Sequence, residues 1–263
     1  MSAVQAAPQR RSLRDSGIIA GRQLRVLRMN PGRLAYPFIQ PVLLLVLFTS
    51  VFGNLALTRG TAGGSYRQFL IPGILIQNMA LTAPVTGLAL LRDSGSGLAD
   101  RFRSLPMARS AVLAGRLASD ALVFCAQAIL VLGAGLLLGF RAAAGPAGLA
   151  GMVAVAVVFG VAVAVTCSWL ALLIGDAETA ERVLFFPFVV VAFISSAYAP
   201  VSLLAGWLQP VARANPVTAA ADLARSLASG HPAAGPALSL ACWTAVLTIG
   251  PGVLAVRRWQ SPA

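Results

Sequence analysis

Six long segments that contain at most one charged residue or histidine each constrain this chain more than any other feature of its sequence. They lie at residues 34–58, 68–91, 117–140, 142–175, 183–212 and 226–256. Asp120 and His231 are the two exceptions inside them. A helix crosses the hydrocarbon core of a bilayer with about 20 residues, so each segment holds one crossing and none comfortably holds two. We therefore predict six spans, near residues 37–57, 69–91, 118–139, 149–174, 183–203 and 236–256.

The composition excludes a soluble globular domain. Of 263 residues, 58% are hydrophobic and 11% are charged, and the mean hydropathy is +0.81. Soluble domains carry about 25% charged residues, because a water-exposed surface must be polar. Segments of alternating polarity, which a membrane β-barrel needs, are absent. Since lipid leaves backbone groups to be satisfied internally, the prediction is an all-α polytopic membrane protein.

The basic residues indicate how the chain is oriented. All 20 are arginine, and the net charge is +12, which on its own could suggest nucleic-acid binding. The arginines lie at the ends of the apolar segments, however, and form no basic patch with interleaved aromatics. Fifteen fall on the side of the two termini and five on the opposite side. The positive-inside rule therefore predicts cytoplasmic termini in a bacterial plasma membrane, and no nucleic-acid partner.

The sequence contains no pattern that indicates catalysis or a bound cofactor. The chain has no lysine, so it contains no GxxxxGK[ST] phosphate loop. HExxH, GxSxG and clustered catalytic carboxylates are also absent, and we predict neither catalytic nor cofactor-binding residues. Cys125, Cys167 and Cys242 lie in separate apolar segments, which argues against a disulfide framework or a zinc site. The basic N-terminal region lacks the short apolar core of a cleavable signal peptide.

A small acidic group lies in the short loop between the fourth and fifth predicted spans. It consists of Asp176, Glu178 and Glu181. Metal binding is one interpretation, but a solvated turn with acidic residues near a helix start explains the group better, and we predict no metal site. Ionisable residues in the middle of spans are essentially missing, which argues against a proton-coupled transporter.

The segment before the first span has an amphipathic pattern. Arg22, Arg25 and Arg28 cover one face of a helix over residues 18–30, while apolar side chains cover the other. We predict an interfacial helix lying in the cytoplasmic leaflet and ended by Asn30-Pro31. A merely basic tail held by anionic lipid is nearly as compatible with the pattern.

The loop after the second span, residues 92–117, combines arginines with exposed apolar residues. Gly and Ser form a flexible entry, a short helix carrying Phe102 and Leu105 follows, and Pro106 ends it. Apolar side chains among arginines on a cytosolic loop fit a docking site for a partner protein. A solvated loop whose phenylalanine dips into the lipid headgroups fits equally well.

The region from 198 to 236 is too long and too apolar for an ordinary loop. Pro200, Pro210 and Pro216 divide it, and Trp207 suits a membrane–water interface. A helix over residues 217–229 would place Asp222 and Arg225 close enough to pair. We predict short re-entrant or interfacial helices on the outer side. A long amphipathic loop resting on the outer leaflet is the alternative.

Two stretches resemble the signatures of type 2 ABC exporter permeases, and the daunorubicin-resistance subgroup in particular. The first runs Leu98-Ala99-Asp100-Arg101-Phe102-Arg103-Ser104-Leu105-Pro106 and continues through Ala108-Arg109-Ser110 to Gly115-Arg116. The second comprises Ser195-Ser196-Ala197-Tyr198-Ala199-Pro200, Gly206-Trp207-Leu208-Gln209-Pro210, Asn215-Pro216-Val217-Thr218 and Asp222-Leu223-Ala224-Arg225. Ala219 departs from the pattern, because relatives often carry an aromatic residue there. The six-span layout extends the resemblance over nearly the whole chain.

The resemblance implies a permease that works with a separate motor. Two permease chains, expected to be identical, would pair around a pathway, and two copies of an ATP-binding subunit would dock below them. ATP and Mg²⁺ would bind to that partner, and this chain would bind no cofactor. Residues 1–33 would form the cytoplasmic tail and interfacial helix, and residues 34–263 the permease domain.

The resemblance also assigns roles to residues in three regions. The ATPase-coupling loop would comprise Asp100, Arg101, Phe102, Arg103, Leu105 and Pro106. The interfacial helix would contribute Arg22, Arg25 and Arg28 to the same contact. The outer re-entrant region would shape the exit through Pro200, Trp207, Pro210, Asn215, Pro216, Thr218, Asp222 and Arg225.

Several functions stay compatible with the sequence. The leading hypothesis is ATP-driven export of an amphipathic drug, antibiotic or similar hydrophobic compound. Export of a lipid or lipid-linked glycan would use the same architecture. A membrane enzyme acting on lipids is disfavoured, since no intramembrane catalytic set is evident. A non-transporting scaffold or sensor subunit is a further alternative.

Overall fold

The computed structural model describes residues 31–52, 66–95, 109–231 and 233–260, and every regular element within these ranges is helical. The elements are α1 (Pro31–Phe52), α2 (Tyr66–Gly95), α3 (Arg109–Leu137), α4 (Gly145–Ile174), α5 (Ala177–Phe193), a 3-10 helix (Val201–Leu203), α6 (Gln209–Arg213), α7 (Pro216–Ser229) and α8 (Ala234–Gln260). The prediction of an all-α protein is confirmed for these residues. The predicted interfacial helix and coupling loop lie outside them.

Four of the helices are long and apolar enough to cross a membrane. The qualifying stretches are Tyr66–Arg92 in α2, Arg116–Leu137 in α3, Gly145–Ile174 in α4 and Ala234–Ala255 in α8. Even a stretch of 22 residues reaches about 33 Å, which exceeds the roughly 30 Å of hydrocarbon. The chain is therefore a multi-pass membrane protein.

The other two predicted spans, 37–57 and 183–203, correspond to α1 and α5. In α1 the apolar stretch whose side chains are described, Phe38–Val51, is shorter than a full crossing. Helix α5 has 17 residues and ends at Phe193, well before the predicted end of the fifth span. It ends there because Ser195 and Ser196, just beyond it, form other hydrogen bonds. The Ser195 hydroxyl donates to the carbonyl of Ala192, and the N–H of Ser196 donates to Thr218 of α7. The count of six spans stays a prediction.

Helix α2 is the central helix of the bundle. It packs against α1, α3, α4, α5 and α7, and its most extensive contact is with α4. Gly87 allows that contact: a Cβ atom at this position would lie 2.6 Å from the carbonyl carbon of Cys167 on α4. The fully buried large side chains of α2 are Leu70, Ile71, Ile74, Leu75, Ile76 and Met79. Helix α2 is therefore the most deeply buried of the four helices that can cross the membrane.

Helices α4 and α5 are joined by a two-residue turn. Gly175 ends α4 with a φ of +76°, a left-handed conformation that glycine adopts at little cost. Asp176 then begins α5, because its carboxylate accepts a 2.7 Å hydrogen bond from the backbone N–H of Thr179. This hydrogen bond holds the pKa of Asp176 below its ordinary value. The acidic turn predicted from the sequence is thus a helix cap.

Helix α7 lies inside the bundle, against α2, α4 and α8. Its inward face is built of small residues, and it approaches α4 so closely that a Cβ atom on Gly148 would lie 2.8 Å from the carbonyl oxygen of Leu227. The buried alanines are Ala219, Ala220, Ala221, Ala224 and Ala228. Small residues are typical where helices meet closely in membrane proteins. Ala219, which departs from the family pattern, belongs to this tightly packed face.

The outward faces of the long helices are apolar, as expected for contact with lipid. Exposed large apolar side chains include Ile39, Leu43, Leu47, Ile129, Leu136, Val158, Phe186, Leu238, Val246 and Ile249. In water such a surface would aggregate.

Candidate functional site

The predicted re-entrant region contains the most connected polar cluster in the described part of the chain. It joins the middle of α7 to the loop at 194–198 and to the start of α2. We call it the Arg225 cluster; its members are Phe69, Ser196, Ala197, Asp222 and Arg225.

Asn215 holds the N-terminal end of α7 in place. Its side-chain oxygen accepts a 2.8 Å hydrogen bond from the N–H of Val217, which caps the helix. Its side-chain nitrogen donates to the carbonyl oxygens of Val191, at 2.7 Å, and of Ile194. Pro216 occupies the first turn, where its missing N–H has no consequence. The Asn-Pro pair therefore starts α7 and ties it to the last turn of α5.

Arg225 extends this connection across the bundle. Its guanidinium donates to Asp222 Oδ1 at 2.7 Å and to the backbone carbonyl of Ser196 at 2.6 Å. Further donations reach Ser196 Oγ at 2.9 Å, the carbonyl of Phe69 at 3.1 Å and that of Ala197 at 3.4 Å. The guanidinium carbon also lies 3.7 Å from the centre of the Phe69 ring. A planar fork with five N–H donors suits this set, and lysine could not reproduce it.

The surrounding contacts fix the loop at 194–198 on three sides. The backbone N–H of Ser196 donates to Thr218 Oγ1 at 3.0 Å, and Ser196 Oγ donates to Asp222 Oδ1 at 3.1 Å. The Tyr66 hydroxyl donates to the carbonyl of Tyr198 at 3.1 Å. The loop can approach α2 this closely because residue 73 is glycine: a Cβ atom there would lie 2.0 Å from the carbonyl oxygen of Ala197.

The structure brings together only part of the predicted outer set. Asp222 and Arg225 belong to the Arg225 cluster, and the pairing predicted between them is present. Thr218 accepts a hydrogen bond from Ser196 of the cluster, while Asn215 and Pro216 begin the same helix. The remaining members do not join the cluster. They are Pro200, which precedes the 3-10 helix, Pro210, in the first turn of α6, and Trp207, which is 75% exposed.

Two contacts of the cluster were not assigned from the sequence. Phe69 presents its ring and its carbonyl oxygen to Arg225, although 156 residues separate them. Ser196 belongs to a recognised motif, but the pattern gave no sign that it would bridge Thr218, Asp222 and Arg225. An arginine flanked by apolar residues in a segment predicted to enter the membrane was the available signal, since such a charge needs partners.

The opposite end of the bundle carries charged pairs near the predicted coupling loop. Arg92, at the end of α2, pairs with Glu181 of α5 at 3.1 Å, and both side chains are exposed. Arg182 pairs with Glu178 one turn away. Arg116 and Asp120, at the start of the α3 span, lie 3.9 Å apart and are largely buried. The first of these pairs links α2 to α5 where α2 leads into the coupling loop, and the other two lie within α5 and within α3.

The predicted coupling and interfacial residues lie outside the described residues. These are Asp100, Arg101, Phe102, Arg103, Leu105 and Pro106, together with Arg22, Arg25 and Arg28. Their roles therefore stay predictions. Within the described ranges, no three His, Cys, Asp or Glu side chains lie close enough to hold a metal ion.

Comparison with known proteins was consistent with these features. The ABC-2 type transporter family matches residues 16–228. The chain is 34% identical over 213 residues to the daunorubicin resistance ABC transporter permease protein DrrB1 of Streptomyces coeruleorubidus, covering 80% of this chain and 73% of that protein.

Two further relatives carry related descriptions. A probable doxorubicin resistance ABC transporter permease protein, DrrC of Mycobacterium tuberculosis, is 28% identical over 80% of this chain and 75% of its own length. A putative transport permease, ycf38 of Porphyra purpurea, is 30% identical over 73% of this chain and 66% of its own length.

Proposed function

The chain belongs to the ABC-2 type transporter family, and we propose that it is the membrane-spanning permease subunit of an ATP-driven exporter. Its cargo would be an amphipathic drug, antibiotic or similar hydrophobic compound. The observation that carries this proposal is the similarity to a daunorubicin resistance permease over four fifths of the chain.

The chain needs a separate motor to perform this function. It has no lysine for a phosphate loop of the GxxxxGK[ST] type, so ATP and Mg²⁺ would bind to a partner. We propose an assembly of two copies of this chain with two copies of an ABC ATP-binding subunit, in a plasma membrane and with both termini on the cytoplasmic side. The arginine distribution supports that orientation.

Coupling to the motor would pass through the loop between α2 and α3. In this proposal the ATP-binding subunit contacts Asp100–Pro106 and the interfacial helix over residues 18–30. The Arg92–Glu181 pair supports it, because a displacement of the end of α2 would also act on α5. ATP binding could then bias the permease between two arrangements, which is a coupling of distant sites.

The re-entrant region would work at the other end of the pathway. Helices α6 and α7 would dip back toward the membrane rather than rest on it. The burial of α7 among α2, α4 and α8 supports this part of the proposal. With α1 and α5 counted as crossings, the chain would have six spans.

Co-purification tests the proposed partner and its docking site. The chain is co-expressed with an ABC ATP-binding subunit, and retention of that subunit is measured for wild type and for the double variant Phe102→Ala, Arg103→Glu. We expect wild type to retain the subunit and the double variant to lose most of it. The matched control Arg141→Glu reverses an arginine at the opposite end of the bundle and should leave retention unchanged. Equal retention by the double variant would contradict the coupling-loop assignment.

Transport in inverted membrane vesicles tests the direction and the cargo. We expect ATP-dependent accumulation of doxorubicin in vesicles that contain both subunits and none in vesicles that lack either one. Accumulation of a fluorescent lipid in place of doxorubicin would favour lipid export. Absence of any ATP-dependent movement would instead favour a scaffold or sensor.

A further inference from the structure

Three uncharged amide side chains lie in the middle of the membrane-spanning bundle. Gln77 and Asn78 lie near the midpoint of the α2 span, and Gln127 lies near the midpoint of the α3 span. They are 2%, 5% and 0% exposed, respectively. Asn78 Nδ2 donates to Gln127 Oε1 at 3.5 Å, which is long for a hydrogen bond. The cluster places strong donors and acceptors at the depth where lipid offers them no partner.

Gln77 differs from its two neighbours because its amide is unsatisfied. Neither its Oε1 nor its Nε2 forms a hydrogen bond within the described structure, and the same holds for the hydroxyl of Tyr198. These two groups are neighbours, although they do not meet in hydrogen-bond geometry. A buried amide without partners destabilises the fold, and leucine would avoid that cost. Folding alone therefore gives no reason for a glutamine here.

Gln77 lines a small cavity between α1 and α2. The cavity has a volume of about 10 Å³ and is lined by Gln40, Pro41 and Leu44 of α1 and by Ile74, Gln77, Asn78 and Leu81 of α2. This volume corresponds to about one water molecule. None of the lining side chains is charged. In this arrangement the site is too small for a larger ligand, so a movement of α1 relative to α2 has to open it.

Contacts of α1 are compatible with such a movement. Its contact with α2 is much smaller than the contact of α4 with α2. At its far end, the Phe48 ring stacks on Tyr198, with centroids 4.4 Å apart. The hydroxyl of the same Tyr198 lies beside Gln77. Displacing α1 would therefore expose an aromatic face and the unsatisfied amide together.

We propose that Gln77, with Asn78, Gln127 and Tyr198, forms a binding site for the transported molecule, and that this site opens between α1 and α2. The inference rests on the proposed function. The ligand class follows from the lining: amide and phenol groups pair with hydroxyl and carbonyl groups, and the apolar and aromatic surroundings accept a planar hydrophobic body. The cargo would thus be recognised by uncharged polar groups on an apolar skeleton, rather than by a charge.

A purely structural role for these amides makes a different prediction. Polar side chains also hold membrane helices together, and their removal then lowers stability. If Gln77 binds the cargo, replacing it with leucine should weaken binding while stability is retained or increased. Such a trade-off is typical of residues kept for function.

The experiment uses the chain purified with its ATP-binding subunit in lipid nanodiscs, and doxorubicin as the fluorescent probe. The fused-ring core of doxorubicin is planar and carries hydroxyl and carbonyl groups. Its binding is measured by fluorescence titration, and the thermal unfolding midpoint is measured on the same samples. The variants are Gln77→Leu and Tyr198→Phe. The matched control is Gln68→Leu, the same substitution on the same helix, placed near its exposed end.

We expect Gln77→Leu to weaken doxorubicin binding about tenfold, as for the loss of about one hydrogen bond, with an unfolding midpoint equal to or above that of wild type. Tyr198→Phe should weaken binding severalfold, and Gln68→Leu should bind as wild type does. Unchanged binding by Gln77→Leu would overturn the proposal. So would a lower unfolding midpoint that accompanies weaker binding, or wild type that shows no saturable binding.

Failure of the proposed function gives a separate result. If the complex binds doxorubicin through Gln77 but vesicles show no ATP-dependent uptake, the binding site stands and the exporter assignment fails. If uptake occurs, and Gln77→Leu changes neither the KM of uptake nor the affinity for doxorubicin in the fluorescence titration, the exporter assignment stands and the binding site fails.

Discussion

Replacing Gly87 with alanine tests how closely the central helix α2 must approach α4. Gly87 faces backbone atoms rather than a flexible side chain. A Cβ atom there would lie 2.6 Å from the carbonyl carbon of Cys167, 2.7 Å from its oxygen and 2.9 Å from the nitrogen of Ser168. Backbone in the middle of a helix cannot move aside by a rotamer change, so the two helices must separate.

The size of the effect follows from these distances. Ordinary van der Waals contact begins at 3.4 Å, so the nearest approach must open by about 0.8 Å, the difference between 3.4 and 2.6 Å. A gap of about 0.5–1 Å forfeits a quarter to a half of the dispersion energy of the atoms along it. Overpacking of this kind costs roughly 1–3 kcal/mol. Because α2–α4 is the most extensive contact in the bundle, we expect the upper half of that range.

The assay compares Gly87→Ala with Gly133→Ala. A Cβ atom on Gly133, about one turn before the end of α3, meets nothing within 4 Å, so that variant adds the same methyl group without a clash. Equilibrium unfolding by SDS in mixed micelles gives the free energy of unfolding for each. We expect Gly87→Ala to lose about 2–3 kcal/mol, and Gly133→Ala to match wild type or exceed it slightly, since alanine favours a helix over glycine. If the two variants agree within about 0.5 kcal/mol, the close packing described here is wrong.

Three further predictions concern the Arg225 cluster and the α4–α5 turn. Arg225→Lys keeps the charge but loses most of the five N–H donors, so the free energy of unfolding should fall by about 2 kcal/mol. In the same SDS assay, the exposed control Arg213→Lys should change it by less than about 0.5 kcal/mol. Asn215→Ala removes a helix cap and two donations to the end of α5, and should lower the free energy of unfolding by about 1–2 kcal/mol; a value near zero would show that α7 is positioned by packing alone. For Asp176, the folded pKa lies below the unfolded one, so its stabilising effect is present above the ordinary aspartate pKa and is lost as the pH falls through the lower folded value. Asp176→Asn should therefore remove the acid sensitivity of hydrogen exchange at the Thr179 amide, and an unchanged acid profile would contradict the cap.

The helical elements could be predicted from local properties of the sequence. Each of the four helices that qualify as crossings overlaps one of the six apolar segments, and the helix predicted at 217–229 is present as Pro216–Ser229. The start and end of this helix could be predicted because Asn215 and Pro216 are typical of a helix start and Gly230 is typical of a helix end. The pairing of Asp222 and Arg225 was predictable for the same reason, since residues three apart on a helix are neighbours.

The fifth predicted span shows where this reasoning stops. Residues 183–212 contain no charge, so hydropathy treats the stretch as uniform. The helix nevertheless ends at Phe193, because Ser195, Ser196 and Asn215 supply hydrogen bonds that compete with the helical ones. Two of these three residues bond to atoms more than 20 positions away. Hydropathy contains no information about such partners.

The sequence alone determined that this protein lies in lipid and in which order its helices follow one another. The reason is that the free energy of transferring a segment into lipid is nearly a sum over its single residues. The sequence signatures also identified the family. The tertiary structure decided which helix is central, which carbonyl oxygens receive the five donations of Arg225, and which buried amide is left without a partner. These depend on the distance of approach between helices, which glycines at 73, 87 and 148 set. A hydrogen bond forms or fails over a few tenths of an ångström, and that distance is a property of the packed bundle rather than of any one segment.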